Sequence, residues 1–152
     1  MKRYLGENIL RKYFINFKNL FLIYFFSISC NFLYAKTEKI IIENCYDGDT
    51  CTTTNKEKIR LACIDTPEIR GKKADPEKAK YVRDYLNSLI KGKEITIRRI
   101  TYDRYGRTVA ELYKNKINLQ KHLVEIGLAK IYKKYAHQCE WSKNYLNKKN
   151  ND

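Results

Sequence analysis

One amphipathic helix divides this chain into two groups of short β-prone segments. The helix begins at Asp75-Pro76-Glu77, where the aspartate can cap the first turn and proline suits the first helical position. Gly92 ends it. The apolar residues recur at helical spacing on one face: Ala79, Val82, Leu86 and Leu89. A face of this kind is normally buried, so we expect the helix to pack against a sheet formed by the β segments.

Turn signals separate the β-prone segments from one another. Asp47-Gly48 follows the first segment, Asn55-Lys56 follows the second, and Pro67 ends the third. In the first segment after the helix, Arg98-Arg99 interrupts the alternation of apolar residues and predicts a bulge. The segments comprise residues 39–43, 50–54 and 59–64 before the helix, and residues 94–101 and 107–113 after it.

Two further helices and a short strand complete the pattern. Asn118 can cap a helix that Gly127 ends, and a short strand covers residues 128–131. The tail from Cys139 carries Trp141, Tyr145 and Leu146, which suit one face of a last helix. The second helix is expected to turn three apolar residues inward: Leu119, Leu123 and Ile126. This order of elements predicts an α+β fold that is mainly β, a five-stranded antiparallel OB-fold barrel with three helices packed outside.

Residues 1–35 have the layout of a secretory signal. Five basic residues lie before or beside an apolar stretch, residues 20–30, which is shorter than the roughly 20 residues that a membrane span needs. Leu33-Tyr34-Ala35 is an acceptable cleavage site. We therefore predict cleavage after Ala35 and a secreted, periplasmic or cell-envelope protein, with an uncleaved membrane anchor as the alternative. Residues 36–152 then have the length of one domain.

The chain is strongly basic. It carries 31 lysines and arginines against 17 aspartates and glutamates, a formal net charge of +14. Such a surplus favours a polyanionic partner or an acidic membrane surface. A solubilising role for the lysines explains the same number, so charge alone does not choose between these interpretations.

The cysteines allow several arrangements. With Cys30 in the predicted signal, four remain, and four cysteines in an exported domain permit three pairings. Cys45 and Cys51 flank the turn at residues 47–50 and can face each other across a hairpin. Cys63 and Cys139 are then left to pair, although Cys63 also fits the pattern of a buried strand residue with a free thiol.

The acidic residues of the first three segments suggest a site for a hard cation. Asp49 and Asp65 stand at the ends of adjoining segments, where a meander brings them side by side. Two carboxylates this close repel each other unless a cation neutralises them, and oxygen ligands select Ca²⁺ or Mg²⁺. Arg60 and Arg107 add guanidinium groups, whose planar shape matches a phosphate. Taken singly, the two acidic motifs are better explained as an ordinary turn and a strand end, and the arginines can be ordinary exposed charges or members of salt bridges.

Taken together, four motifs in one order resemble the thermonuclease family, the staphylococcal-nuclease-like domain. The similarity runs over about residues 40–133. It implies an OB-fold barrel with three helices, a Ca²⁺-dependent nuclease acting on DNA and RNA, and often secretion. The motifs are Asp47-Gly48-Asp49-Thr50, Ile59-Arg60-Leu61 with Ile64-Asp65-Thr66-Pro67-Glu68, Asp103-Arg104-Tyr105-Gly106-Arg107, and Leu123-Val124-Glu125-Ile126-Gly127-Leu128-Ala129-Lys130.

The resemblance implies a calcium site at the acidic motifs. By position, Asp49 and Asp65 would bind Ca²⁺ through their carboxylates, and Thr66 would bind it through its backbone carbonyl. Asp47 would act from behind these ligands by orienting water on the ion.

The resemblance also implies the groups that would carry the reaction. Glu68 would be the general base, or would position the attacking water. Arg60 and Arg107 would hold the phosphate and stabilise the charge that develops in the transition state. In-line attack on phosphorus would expel the 5′ oxygen and leave 3′-phosphate ends.

Several residues are candidates for substrate binding. Tyr105 aligns with a family tyrosine near the bound nucleotide, and Tyr132 or Tyr135 would stack a base as aromatic residues do in single-strand grooves. In a chain with 13 tyrosines, ordinary core or surface positions explain these two equally well. The loop after Glu68 is shorter than in the best-known members of the family, but Lys72 and Lys73 keep it basic.

Two other functions compete with a secreted nuclease. A catalytically silent OB-fold module would bind nucleic acid without cutting it, although every acid and arginine that the chemistry needs is present. A basic membrane-surface protein would account for the charge and the N-terminal segment, but not for the order of acids and arginines. No obligate protein partner is implied, and we expect a monomer.

Overall fold

The computed structural model describes residues 38–149, which form eight strands and three α-helices. The predicted signal or anchor at residues 1–35 lies outside the described residues. The strands are β1 (Glu38–Cys45), β2 (Thr50–Thr53), β3 (Lys58–Leu61), β4 (Ile64–Asp65), β5 (Glu94–Tyr102), β6 (Thr108–Lys114), β7 (Ile117–Asn118) and β8 (Lys130–Ile131). The helices are α1 (Pro76–Ile90), α2 (Leu119–Glu125) and α3 (Glu140–Lys149), with a 3₁₀ helix at Lys133–Gln138. Within residues 38–149, the helices are all too short or too polar to cross a membrane.

Five of the strands close into a barrel in the order β3-β2-β1-β5-β6. Neighbours along this order are antiparallel, and β3 pairs with β6 in parallel to close the ring. The predicted α+β fold with a five-stranded OB-fold barrel is confirmed. The parallel pair departs from the predicted antiparallel barrel for a geometric reason: an odd number of strands cannot alternate in direction all the way round a closed ring.

The core lies inside the barrel and beneath α1. The predicted cap is confirmed, because the Asp75 carboxylate accepts a hydrogen bond from the Lys78 N–H at 3.2 Å. The predicted bulge is also present, as a register shift between Arg99 and Thr101. The fully buried apolar side chains are Ile42, Ile59, Leu61, Ile64, Leu86, Ile90, Ile95, Ile97, Leu112 and Leu123.

Two details of the predicted elements are wrong. Ile126 is 44% exposed, because α2 ends at Glu125 and the chain reverses at Gly127 (φ +77°). The predicted strand at residues 59–64 stops at Leu61. Cys63 then adopts a positive φ of 66°, and the next two residues leave the barrel sheet to pair with β8.

Two disulfides fasten these strands and turns. Cys45 and Cys51 face each other in the β1–β2 pair and are bonded to each other, so the turn between them is a closed loop. Cys63 is bonded to Cys139, immediately before α3. The buried free thiol considered for Cys63 is therefore not what the structure contains.

Candidate active site

The turns and strand ends on one side of the barrel surround a cavity of about 610 Å³. Most of the residues predicted to act on a substrate line it, although they come from segments up to 88 positions apart, from Asp47 to Tyr135. These residues are Asp47, Asp49, Arg60, Asp65, Glu68, Tyr105, Arg107, Tyr132 and Tyr135.

The first acidic motif forms a tight turn that is held by its own side chains. Asp47 is buried, and its Oδ1 accepts hydrogen bonds from the N–H groups of Asp49 (3.0 Å) and Thr50 (2.7 Å). Asn87 on α1 fixes the start of the turn by bonding to both backbone groups of Cys45. In the structure, therefore, Asp47 shapes the loop that presents Asp49.

Gly48 is the point at which this turn touches its neighbours. A Cβ atom there would lie 2.4 Å from Val82 Cγ1 and 2.9 Å from Thr66 Cβ. Gly48→Ala should therefore destabilise the protein by about 1–3 kcal/mol, as expected for overpacking. Urea denaturation would measure the loss. Gly71→Ala is the control, because a Cβ at Gly71 meets nothing within 4 Å, although the positive φ there carries its own smaller cost.

Asp49 and Arg60 form a buried ion pair at the floor of the cavity. Asp49 is 2% exposed, and its Oδ2 lies 2.7 Å from Nη1 of Arg60. The same oxygen accepts hydrogen bonds from the N–H and hydroxyl of Thr66, at 3.2 and 3.1 Å. Asp65 is exposed and lies 3.9 Å from Nη2 of Arg60. Of the three predicted metal-binding residues, Asp49 and Asp65 thus lie beside one guanidinium group, and Thr66 contacts Asp49 from outside the cavity lining.

Burial and neighbouring acids make the charge on Asp49 costly. Burial raises the pKa of Asp49 to about 7; Asp47 and Glu68 add to the rise, while Arg60 and Thr66 oppose it. The Arg60 guanidinium also donates to the backbone carbonyls of Leu61 (3.2 Å) and Ile64 (3.1 Å), which fix its position. The site therefore holds a concentration of negative charge that one arginine only partly offsets.

Glu68 stands at the rim of the cavity. Its side chain is exposed, and partial burial, followed by the charge of Asp47, raises its pKa above the ordinary value for glutamate. Arg60 and Arg107 act in the opposite direction. A carboxylate with this position and raised proton affinity is suited to accept a proton from water.

Arg107 is positioned by a residue that the sequence analysis did not single out for a role. The Asp103 carboxylate accepts hydrogen bonds from Nε of Arg107 (2.7 Å) and from its backbone N–H (3.0 Å). Burial raises the pKa of Asp103, but the hydrogen bonds from Arg107 and Tyr105 outweigh it and lower the pKa overall. Nη1 of Arg107 donates to the Thr50 hydroxyl at 3.2 Å. The sequence did contain a signal for this contact, because Asp103 lies four positions before Arg107 with the turn at Gly106 between them.

Tyrosines and cations form the walls of the cavity. Tyr105 is 67% exposed, and the guanidinium groups of Arg104 and Arg107 lie 4.7 and 5.6 Å from its ring centroid. Elsewhere in the lining, the rings of Tyr132 and Tyr135 meet edge to face at 5.1 Å. The lining also includes Tyr102, Lys134 and Gln138, which the sequence did not single out. Lys72 and Lys73 are exposed on the loop before α1 and lie outside this lining.

The predicted calcium site can be tested against this arrangement. The donors are carboxylate and carbonyl oxygens, which suit a hard cation, and a divalent ion beside Asp49 would stabilise its charged form. Arg60 already contacts the carboxylate that an ion would use. Within residues 38–149, no three acidic, histidine or cysteine side chains converge as a ready-made metal cluster. The donor chemistry and the charge of Asp49, Asp65 and Thr66 fit Ca²⁺. Arg60 would compete with the ion for the carboxylate of Asp49.

Comparison with known proteins gives a consistent assignment. An uncharacterized endonuclease of Haemophilus influenzae is 39% identical over 95 residues, covering 60% of this chain and 51% of that protein. An uncharacterized endonuclease of Escherichia coli O157:H7 is 36% identical over 93 residues, covering 59% and 58%. A staphylococcal-like nuclease of Arabidopsis thaliana is 35% identical over 91 residues, covering 58% and 26%.

These relatives are longer than this chain, which spans about half the length of the two bacterial proteins and about a quarter of the plant protein. A family model described as staphylococcal nuclease homologue matches residues 58–151, from the start of β3 through α3. The match includes Arg60, Glu68 and Arg107 and covers more than half of the chain. The protein therefore belongs to the family of staphylococcal nuclease homologues, as the resemblance predicted.

Proposed function

We propose that this protein is an endonuclease that hydrolyses phosphodiester bonds of DNA and RNA. The observation that carries the proposal is the meeting of two arginines with Asp49, Asp65 and Glu68 around one cavity. Guanidinium groups recognise phosphate, and a carboxylate beside them can activate water. The bacterial relatives that are called endonucleases support the same reaction class.

Both arginines would bind the phosphate, and each is held in position by contacts of its own. Arg60 is 14% exposed and held by backbone carbonyls, so its orientation is set before a substrate arrives. Arg107 is held by Asp103 and Thr50, and its side chain is 25% exposed. Donors fixed in this way stabilise the negative charge that grows on the phosphoryl oxygens without first having to reorganise.

Glu68 would take the proton of the attacking water. It lies in the same lining as both arginines. Attack opposite the 5′ oxygen would expel that oxygen and leave a 3′-phosphate, which we propose as the product. This direction of cleavage is the one that the resemblance to the thermonuclease family implies.

Calcium would complete the site. We propose that Asp49, Asp65 and the Thr66 carbonyl hold Ca²⁺, and that Asp47 supports them by fixing the turn that carries Asp49. When bound, the ion would supply positive charge for a phosphate oxygen and lower the pKa of a water molecule. The charge concentrated around Asp49 supports this proposal.

One experiment tests the reaction and its metal together. The full chain is incubated with single-stranded DNA, double-stranded DNA and RNA, with Ca²⁺ or with a chelator. We expect cutting only with Ca²⁺, and products that polynucleotide kinase can label at the 5′ end without prior phosphatase treatment. Asp49→Asn should lose both the cutting and the rise in melting temperature that Ca²⁺ produces. Binding of nucleic acid without cutting under any divalent metal would instead support a silent binding module.

Export of the protein is a separate proposal. Disulfides persist in oxidising compartments and are rare in the cytosol of most organisms. Residues 38–149 contain two, Cys45–Cys51 and Cys63–Cys139. We propose that residues 1–35 direct export; the intact mass of protein recovered from the cell envelope or medium would show their removal, and retention of the full mass in the cytosol would contradict it.

A further inference from the structure

One wall of the cavity is a short segment with little packing of its own. The aromatic segment, residues 132–138, carries Tyr132 and Tyr135 and includes the 3₁₀ helix Lys133–Gln138. Of the residues in this helix, only Ala136 is buried. A segment with so few apolar contacts has low local stability unless something else holds it.

Both ends of the aromatic segment are fastened to the same residue. At its start, the N–H of Tyr132 donates to the carbonyl of Cys63 at 2.9 Å. At its far end, Cys139 is joined to Cys63 by a disulfide across 76 positions of sequence. Between these points, the Sγ of Cys63 lies 3.3 Å from the carbonyl oxygen of Tyr135.

Cys63 also lies close in sequence to residues that the proposed reaction would use. It lies between Arg60 and Asp65, and β4 begins at the next residue. Its left-handed backbone (φ 66°) sends the chain out of the barrel towards β8, which leads directly into the aromatic segment. The aromatic segment is thus fastened at Cys63, beside the chain that carries Arg60 and Asp65, while Arg60 itself is held by the carbonyls of Leu61 and Ile64.

We propose that the Cys63–Cys139 disulfide is a positioning element that holds the aromatic segment at the right distance to receive bases of single-stranded nucleic acid. The proposal rests on the nuclease function proposed above. Stacked bases need aromatic faces at a fixed distance from the phosphate, and a segment free to move would lose that contact. The two cysteines are not catalytic residues; they act through Tyr132 and Tyr135.

The other disulfide provides a matched control. Cys45–Cys51 closes a loop that is also held in position by Asn87, by the close packing at Gly48 and by the hydrogen bonds of Asp47. Neither of these two cysteines lines the cavity. Removing it perturbs the fold near the acidic turn without releasing the aromatic segment. A general loosening of the protein would affect both disulfide variants alike.

The barrel and α3 keep other contacts when Cys63–Cys139 is removed. Trp141 on α3 donates from its indole N–H to the buried Glu111 at 2.9 Å. Ser142 donates to the carbonyls of Ala136 and Cys139, so the end of the segment and the start of α3 form one unit, and the disulfide is the bond that fixes this unit to Cys63. A second variant that leaves the disulfide intact, two glycines inserted between Gln138 and Cys139, loosens the same segment by a different route.

The test compares cleavage of a 12-nucleotide single-stranded DNA by the full-length variants with Ca²⁺. Cys63→Ala/Cys139→Ala and the glycine insertion should each raise KM about tenfold, the loss of one stacking contact, and leave kcat within about twofold. Cys45→Ala/Cys51→Ala should leave KM within about twofold. Tyr132→Ala/Tyr135→Ala should raise KM as much as Cys63→Ala/Cys139→Ala does, and combining these two variants should add little.

Three outcomes would overturn the inference. The first is an unchanged KM in both Cys63→Ala/Cys139→Ala and the glycine insertion, and the second is a rise in KM in Cys45→Ala/Cys51→Ala as large as that in Cys63→Ala/Cys139→Ala. The third is that the effects on KM multiply when Cys63→Ala/Cys139→Ala is combined with Tyr132→Ala/Tyr135→Ala. Failure of the wild-type protein to cut would reject the proposed function instead. In that case, fluorescence anisotropy of the same labelled strand still decides the inference, because the positioning effect should appear as a tenfold rise in Kd in the same two variants.

Discussion

Replacing Glu68 by glutamine should lower kcat by about 10² to 10⁴, the usual contribution of a general base, while KM stays within about twofold. The substitution keeps the size and shape of the side chain, but it replaces one acceptor oxygen by an NH₂ donor and removes the ability to accept a proton. The arginines that would hold the phosphate, Arg60 and Arg107, are left in place with their own partners. Steady-state cleavage of single-stranded DNA with Ca²⁺ separates the two kinetic constants.

The control is Glu125→Gln. Glu125 lies on α2, is exposed, and pairs at 3.6 Å with Lys121, a contact of small energetic value. It is not part of the cavity lining, so its substitution should leave both constants unchanged. If Glu68→Gln turned over normally, another group would have to take the proton, and the role assigned to Glu68 would be wrong.

The sequence predicted helix starts and strand faces correctly where the determining interaction spans only a few residues. Asp75 caps α1 and Asn118 caps α2 because a side-chain oxygen can reach the N–H three positions ahead in any tertiary setting. Alternating Ile95 and Ile97 face the core because side chains in a strand alternate between its two faces. These parts of the fold follow from sequence without knowledge of distant contacts.

Other features depended on contacts that no local pattern contains. Residues 59–64 read as one continuous strand, but the chain turns at Cys63, which a cysteine 76 positions later and the N–H of Tyr132 hold in place. Asp49 is buried beside Gly48, whose close approach to Val82 on α1 and to Thr66 joins segments that are distant in sequence. The same holds for the site: the motifs predicted which acids and arginines gather, but not that Arg60 would pair with Asp49.

The second large effect is expected at Arg107, where we expect that lysine cannot perform the function of arginine. Arg107→Lys should lower kcat by about 10² to 10³, comparable to the loss of one fixed donor to a developing oxyanion. Lysine keeps the charge but loses the planar group that here bonds Asp103 through Nε and Thr50 through Nη1 at the same time. An ammonium group held by only one partner would meet the phosphate as a mobile point charge.

Stability measurements distinguish this catalytic effect from damage to the fold. The Arg107–Asp103 pair is only partly buried, so its loss should cost about 1 kcal/mol or less. The urea midpoint should therefore change little while cleavage falls. Arg83→Lys is the control, because Arg83 lies on α1, pairs with the neighbouring Asp84 and is outside the cavity lining. If Arg107→Lys cut DNA as well as Arg83→Lys, positive charge alone would suffice at this position, and the two-point attachment to Asp103 and Thr50 would have no role in turnover.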